Sequence, residues 1–284
     1  MPVEAVIIDP VTGKPALVFR NEHGSGLQVK VIDQDTGLAI SRGLVPGVSC
    51  VKVFGRNPSI AAGWEDIWDV GGAYTGFLLA PVQIRIAAGG NVADDAAGAG
   101  ARSVIVSGIG IDWRYVEERF VTAGAAASAT STAFFNRVSR IYVEHCGTYG
   151  GNNTGTVTIE SVPAGTVLCS VPAGKGQSRM AIYTIPDGHT GYLVRLAEFV
   201  DGGKTGNMEL WVRNRADLAV APFEPVRSIH QTDGLIGRND VPLTLFEPLP
   251  ARSDIWMSAY GAATNPAIGA EFDIILVENT VKSL

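Results

Sequence analysis

The sequence is short of charge, histidine and cysteine. Charged residues make up 18% of its 284 residues, below the usual level of about 25%. The four histidines and three cysteines show no metal-ligand spacing. With a net charge of −6 and no cluster of Lys and Arg, the chain also lacks the phosphate-neutralising surface that nucleic-acid binding needs. No apolar run approaches the roughly 20 residues that span a bilayer. We therefore expect no metal, no cofactor, no nucleic acid and no membrane as partners, and buried free thiols at the three cysteines.

Catalytic motifs are also missing. The run GKGQS at residues 174–178 has glycine where a phosphate-binding loop needs Ser or Thr after the lysine, and a strand-like segment follows it. No Gly-x-Ser-x-Gly elbow is present. Glu117 and Glu118 are adjacent, and neighbours on a strand face opposite ways, so they do not form an acid/base pair. These observations predict a protein that is not an enzyme.

What the sequence does have is many short segments with a period of two. Residues 156–160 (TVTIE) and 209–213 (ELWVR) alternate apolar and polar side chains, which is typical of half-buried antiparallel strands. Turns of the form Pro-x-Gly recur at residues 163–165, 172–174 and 186–188, where proline presets φ and glycine closes the turn. Residues 123–137 show no helical stripe and predict a loop with one helical turn near Phe134. The sequence thus predicts an all-β fold, an antiparallel β-sandwich or jelly roll.

The first 50 residues predict a separate, extended N-terminal arm. The run IDPVTG at residues 8–13 is echoed by IDQDTG at 32–37, and both suit hairpin-like turns. Large aromatic side chains are scarce in this segment, so it makes a poor core by itself and is expected to pack on the body or on a neighbouring subunit. We divide the chain into residues 1–50 and 51–284, and leave open a sub-domain boundary near residues 100–130. The expected interaction residues are the apolar side chains of the arm: Val3, Val6, Ile8, Phe19, Leu27, Val29 and Ile32.

Two low-complexity segments, residues 87–101 and 123–133, are rich in Ala and Gly. They fit surface loops, or loops whose small side chains allow close packing against another subunit. The tryptophans leave a similar choice. They fit core anchors of a sandwich, whereas a sugar-binding platform would use exposed rings such as Trp113 with Tyr115, or Trp64 with Trp68.

Several runs of the central and C-terminal part form a family pattern. They are WEDIWDVGG (64–72), GIGID (108–112), EERFV (117–121), FNRV (135–138), GTVTI (155–159), AGKGQSRMAIYTIP (173–186), DI (254–255) and FDIILV (272–277). Over roughly residues 50–280 this pattern resembles a family of virion structural proteins of tailed bacteriophages, common among phages of marine bacteria. The resemblance brings no catalytic residues with it.

The resemblance implies a β-rich building block of the virion, assembled in the host cytoplasm. The first hypothesis is a capsid decoration, or cement, protein that binds the major capsid protein or other virion proteins as a homo-oligomer, expected to be a trimer. The alternative is a neck or tail component, such as a tail-tip or fibre-base protein. A third hypothesis, from another class, is a glycan-binding receptor module that stacks sugars on exposed aromatic rings.

Overall fold

The computed structural model describes residues 7–8, 15–20, 27–30, 36–61, 63–243, 247–261 and 265–279. In this part of the chain the helix is α1 (Thr36–Ser41). The strands are β1 (Ile7–Ile8), β2 (Pro15–Arg20), β3 (Leu27–Lys30), β4 (Val48–Asn57), β5 (Trp64–Asp66), β6 (Gln83–Ile86), β7 (Ala101–Gly110), β8 (Tyr115–Val121), β9 (Phe135–Cys146), β10 (Val157–Val162), β11 (Val167–Val171), β12 (Ile182–Thr184), β13 (His189–Val200), β14 (Gly206–Arg213), β15 (Arg227–Leu235), β16 (Gly237–Val241), β17 (Pro248–Leu249), β18 (Asp254–Gly261) and β19 (Ile268–Glu278).

The chain divides into a unit of residues Met1–Ser49 and a body of residues Cys50–Leu284. In the first unit β1, β2 and β3 form an antiparallel sheet in that order. The second of the two echoed runs, residues 32–37, lies mostly outside the described residues, and α1 begins at its Thr36. Of the expected interaction residues, Ile8, Phe19, Leu27 and Val29 lie on these three strands, and Val3, Val6 and Ile32 lie outside the described residues.

The body contains two hydrophobic cores. The first core lies within the sheets β8-β7-β9 and β11-β10-β6 and is centred on Phe135, Ile84 and Ile159. The second core lies between the sheet β16-β13-β19-β4 and the sheet β12-β18-β14-β15, and is centred on Phe272, Met208 and Leu196. The strands pair antiparallel, and β10 and β14 alternate buried and half-buried positions as their sequences predicted. The prediction of an all-β, antiparallel, sandwich-like body is confirmed.

Residues 100–130, the region of the possible sub-domain boundary, include the paired strands β7 and β8 of a single sheet. Two local predictions need correction. The predicted helical turn near Phe134 is absent, because β9 begins at Phe135. Strands β15 and β16 were missed, since their polar and glycine-containing sequences carry little apolar alternation. Among the described residues, no helix is both long and apolar enough to cross a membrane.

The small-residue segments pack within the body. Ser131 N donates to Ile84 O at 2.8 Å and Ser128 N donates to Ile86 O at 3.1 Å. The hydroxyls of Ser131 and Ser128 accept in return from the amides of Ile84 and Ile86, each at 2.9 Å. Residues 123–133 therefore extend the sheet along β6, because a serine side chain replaces a missing backbone acceptor. In the other segment the buried Asp94 accepts from the amide of Ala101 at 2.8 Å.

Candidate functional site

The two longest runs of the family pattern, residues 64–72 and 173–186, lie against each other. The Asp69 carboxylate accepts from Arg179 N at 2.7 Å and from Arg179 Nε at 2.8 Å. Ala181 N donates to Ile67 O at 2.8 Å, and Trp68 forms an isolated bridge with Met180. These runs thus form one framework at the meeting of the two cores.

The carboxylates of the first run are used to hold turns. Glu65 Oε2 accepts from Gly72 N at 2.8 Å and Oε1 accepts from Ala61 N at 2.9 Å. Burial opposes ionisation of Glu65, but these hydrogen bonds and one from Asn57 outweigh it and lower its pKa. Asp66 accepts from Tyr74 N at 2.6 Å, and burial raises its pKa. Carboxylates occupied by backbone amides fix a loop and are not free for acid/base chemistry.

A buried ionic network lies where two further runs of the pattern meet. Arg137 of β9 donates through Nε to Asp254 Oδ1 at 3.0 Å and through Nη2 to Oδ2 at 3.1 Å. Thr184 Oγ1 also donates to Asp254 Oδ1, at 2.7 Å, and Arg213 contacts its Oδ2. The Arg137 and Asp254 side chains are 3% and 0% exposed.

Aromatic rings complete this network. The Arg137 guanidinium lies 5.4 Å from the centroid of the Trp113 ring and 5.7 Å from that of Phe77, and Arg213 lies 4.9 Å from the Phe77 centroid. Such cation–π contacts lower the cost of burying a guanidinium. Since Arg137 and Asp254 are buried and paired with each other, the network joins the two cores.

One cluster has the composition of a nucleophilic triad but not its geometry. Ser103 Oγ donates to Glu144 Oε2 at 2.8 Å and lies 3.1 Å from His145 Nδ1, while that same nitrogen lies 3.2 Å from Glu144 Oε2. In a triad the base uses one ring nitrogen for the serine and the other for the carboxylate. Here a single nitrogen faces both, and Ser103 is fully buried. The cluster, which Arg119 joins at 2.5 Å from Glu144, therefore ties β7, β8 and β9 together.

The adjacent glutamates behave as predicted for a strand. Glu117 accepts from the Tyr115 hydroxyl at 2.5 Å. Glu118 instead accepts from the amides of Thr132 at 2.7 Å and Ala133 at 2.9 Å. Burial, together with the hydrogen bond to Glu117, raises the pKa of Tyr115 to about 12. The two carboxylates thus serve different partners.

The lysine-containing run at residues 174–178 lies beside β9 and is not a phosphate loop. Val143 N donates to Gly176 O at 2.7 Å, and Ser178 N donates to Ile141 O at 2.9 Å. With Arg140 and Tyr142, residues 175–177 line a shallow surface hollow. No helix follows the run, so no helix N-terminus adds amide donors.

Metal-site geometry is missing from the described residues, in which no three side chains of His, Cys, Asp or Glu gather.

The expectation of three buried thiols is partly wrong. Cys169 is buried, Cys146 is half-buried and Cys50 is exposed.

The tryptophans divide between core and surface. Trp68 and Trp256 are buried, as expected for core anchors, so Trp64 and Trp68 do not form a platform together. Trp64 is 47% exposed and lies beside Tyr260, with ring centroids 6.0 Å apart. The pairing was not visible in the sequence, because the two rings come from strands β5 and β18, far apart along the chain.

The body also carries an apolar exposed loop between β14 and β15. Residues 219–226 (AVAPFEPV) are all exposed, including Val220, Phe223 and Val226. Within the described chain, no hydrogen bond or ion pair holds this loop to the rest of the body. Exposed apolar groups in one loop are typical of a contact surface.

No protein-family model and no curated protein matches the sequence. Among solved structures, the chain is similar to infectious bursal disease virus Gx strain at 6% identity and a TM-score of 0.25, over 83% of this chain and 73% of that one. The Gt strain gives 9% identity and a TM-score of 0.23, over 83% and 74%. The isomalto-dextranase of Arthrobacter globiformis T6 complexed with panose gives 14% identity and a TM-score of 0.22, over 81% of this chain and 35% of that one. Similarities of this size carry no argument about what the chain does.

Proposed function

We propose that the chain is a structural protein of a bacteriophage virion, and specifically a decoration protein that binds the outside of the head shell. The observation that carries the proposal is the two-unit organisation. A short N-terminal unit, Met1–Ser49, has its own sheet, and a larger β body follows it. A small unit that cannot bury a large core of its own suits docking on a neighbour.

The role of the family-pattern residues supports the same proposal. Residues 64–72 and 173–186, and the pair Arg137 and Asp254, hold the two cores together. A pattern made of framework residues is what a building block needs, because its task is to keep a shape under load. The proposed function is mechanical. Docking adds buried area between the subunits of the head shell. A protein that binds only the assembled shell also stabilises that shell by mass action.

Attachment uses the N-terminal unit, and the exposed loop at residues 219–226 offers a second contact. Two weak contacts on one subunit give high avidity when both reach the shell together. A trimer would add further contacts, since three copies bind as one unit.

The test is incorporation into particles. A variant lacking residues 1–45 should keep the circular dichroism spectrum and cooperative unfolding of the body but fail to sediment with virions or shells. The matched control is Tyr149→Ala, which keeps the N-terminal unit and the loop at residues 219–226, removes an exposed ring elsewhere on the body, and should still attach. Normal incorporation of the truncated chain would contradict the proposal.

Copy number separates the head from the neck and tail. We expect on the order of hundreds of copies per particle in a quantitative gel of purified virions, because shell positions repeat by symmetry. About a dozen or fewer would favour a neck or tail component and would overturn the decoration role.

A further inference from the structure

One face of the sheet β12-β18-β14-β15 packs on the second core. Its other face is buried at one end of the strands and exposed at the other. In β18, Ile255, Met257 and Ala259 enter the second core, so Trp256, Ser258 and Tyr260 lie on the other face. Trp256 packs on the first core and is 8% exposed. Tyr260, four residues on, is open to solvent.

The open end of this face presents a row of two rings and an amide. Trp64 of β5 and Asn207 of β14 lie opposite Tyr260 in the register of the sheet. Trp64 and Tyr260 are 47% and 36% exposed, and their ring planes are tilted by 52°. Asn207 Oδ1 accepts from Gly234 N at 2.9 Å, and its Nδ2 group has no partner in the described chain. The row spans three strands, or about 10 Å.

The next row, about 7 Å along the strands, is acidic. Glu209 of β14 lies opposite Gln231 of β15. Burial, and the charge of Asp233, raise the pKa of Glu209. Gln231 Nε2 donates to both oxygens of Asp233 at 3.1 Å. No hydrogen bond within the described chain occupies the Glu209 carboxylate.

We propose that this face binds a neutral saccharide, with its ring faces stacked on Trp64 and Tyr260 and its hydroxyls bonded to Asn207 and Glu209. A sugar ring has an apolar face that suits exposed aromatic rings, which are apolar on their faces and wet at their polar ends. Its hydroxyls both donate and accept, so they match a free amide donor beside a free carboxylate acceptor.

Charge selects among the candidate ligands. The ionisable groups at the outward positions of these rows are Asp66, Glu209 and Asp233, all acidic, and they repel an anionic sugar or a phosphate. A cation would find acidic partners, but it would have no use for the Asn207 amide. Two tilted rings on an open sheet also do not enclose it as a cage would. A neutral saccharide uses every group of the site.

The test is affinity electrophoresis of the full chain in gels containing dextran, soluble starch, galactomannan or hydroxyethylcellulose. We expect at least one of these polymers to retard the protein. Trp64→Ala and Tyr260→Ala should each weaken that binding at least tenfold, and Asn207→Ala should weaken it less. The matched control is Tyr149→Ala, which removes a fully exposed ring from a turn elsewhere on the body.

Thermal unfolding of each variant checks that the body remains folded, and Trp64→Phe, which keeps a stacking ring, should retain most of the binding. Absence of retardation in all four gels would overturn the proposal. Unchanged binding in both Trp64→Ala and Tyr260→Ala would also overturn it. Two further gels contain poly-lysine or polygalacturonate, and retardation in these charged gels alone would overturn it as well. None of these outcomes depends on attachment to virions, so the saccharide site and the decoration role are tested separately.

Discussion

Nε of Arg137 lies 3.0 Å from Oδ1 of Asp254, and this buried ion pair joins the first core to the second. Arg137 also donates to the carbonyl oxygens of Leu78 and Asn136, each at 2.7 Å. Each charge of the pair is therefore compensated at the meeting of the two cores, where an unpaired ion would be costly to bury.

Removing one partner of this pair should be costly. Asp254→Ala leaves the buried Arg137 and the half-buried Arg213 without their carboxylate, and we expect a loss of about 3–5 kcal/mol in the free energy of unfolding. Urea denaturation of the purified protein measures it. The control is Arg56→Ala, which breaks the exposed pair with Asp201 and should cost less than about 1 kcal/mol. Similar losses in the two variants would show that the buried pair has no special role.

The contact between the two longest pattern runs depends on Gly55 of β4. A Cβ atom at this position would lie 2.2 Å from Ala181 N and 2.6 Å from Ile67 O. Both are backbone atoms, so the clash cannot be relieved by a side-chain movement. Gly55→Ala should therefore destabilise the body by about 1–3 kcal/mol or more, measured as a drop in the midpoint of urea unfolding. Gly202→Ala is the control, since nothing lies within 4 Å of its Cβ position. A Gly55→Ala midpoint as high as that of Gly202→Ala would refute the packing argument.

The sequence could predict the elements whose signal is local. Alternation located β10 and β14, and the Pro-x-Gly turns closed at Gly165, Gly174 and Gly188, each with φ near +70°. Relationships between distant residues left no local signal. Arg137 and Asp254 are separated by 117 positions, and Trp64 meets Tyr260 only because β5 and β18 pair. The strands β15 and β16 lack apolar alternation for a third reason: their side chains have polar partners. Thr232 of β15 and Asn239 of β16 both donate to the buried Glu198, at 2.8 Å and 3.0 Å.

The three thiols should differ in reactivity. Burial raises the pKa of Cys169 to about 12, and the thiolate is the reactive form. In the native protein at pH 8, Ellman's reagent should therefore label Cys50 and Cys146 but not Cys169. The thiol of Cys169 should react only after unfolding in guanidinium chloride. Burial and the charge of Asp273 also raise the pKa of Cys50, so its reaction should be slow. In Cys169→Ala the native count should stay the same and the denatured count should fall by one. Rapid labelling of all three thiols in the native state would contradict this order.

Arg252 should make stability depend on acid pH. It donates through Nε to Asp187 Oδ1 at 2.8 Å and through Nη1 to Asp217 Oδ2 at 2.9 Å. The hydrogen bond from Arg252 lowers the pKa of Asp187. Burial of Asp217 opposes its ionisation, but hydrogen bonds from Arg215 and Arg252 outweigh it and lower that pKa also. Both folded-state values lie below the unfolded value of about 3.9. Their contribution is thus present above that pH and is lost as the pH falls through the folded-state values.

Arg252→Ala should accordingly cost about 1 kcal/mol at pH 7, and the difference from the unmodified protein should shrink as the pH is lowered from 4 towards 2. Urea unfolding across this range measures the difference, and carboxyl-carbon NMR titration should show the pKa of Asp187 rising in the variant. Asp240 is an internal control, because a hydrogen bond from Arg238 lowers its pKa and Arg252→Ala leaves that pair intact. A stability deficit that grows on acidification, or a pKa of Asp187 that does not move, would show that Arg252 does not hold these carboxylates in their charged form.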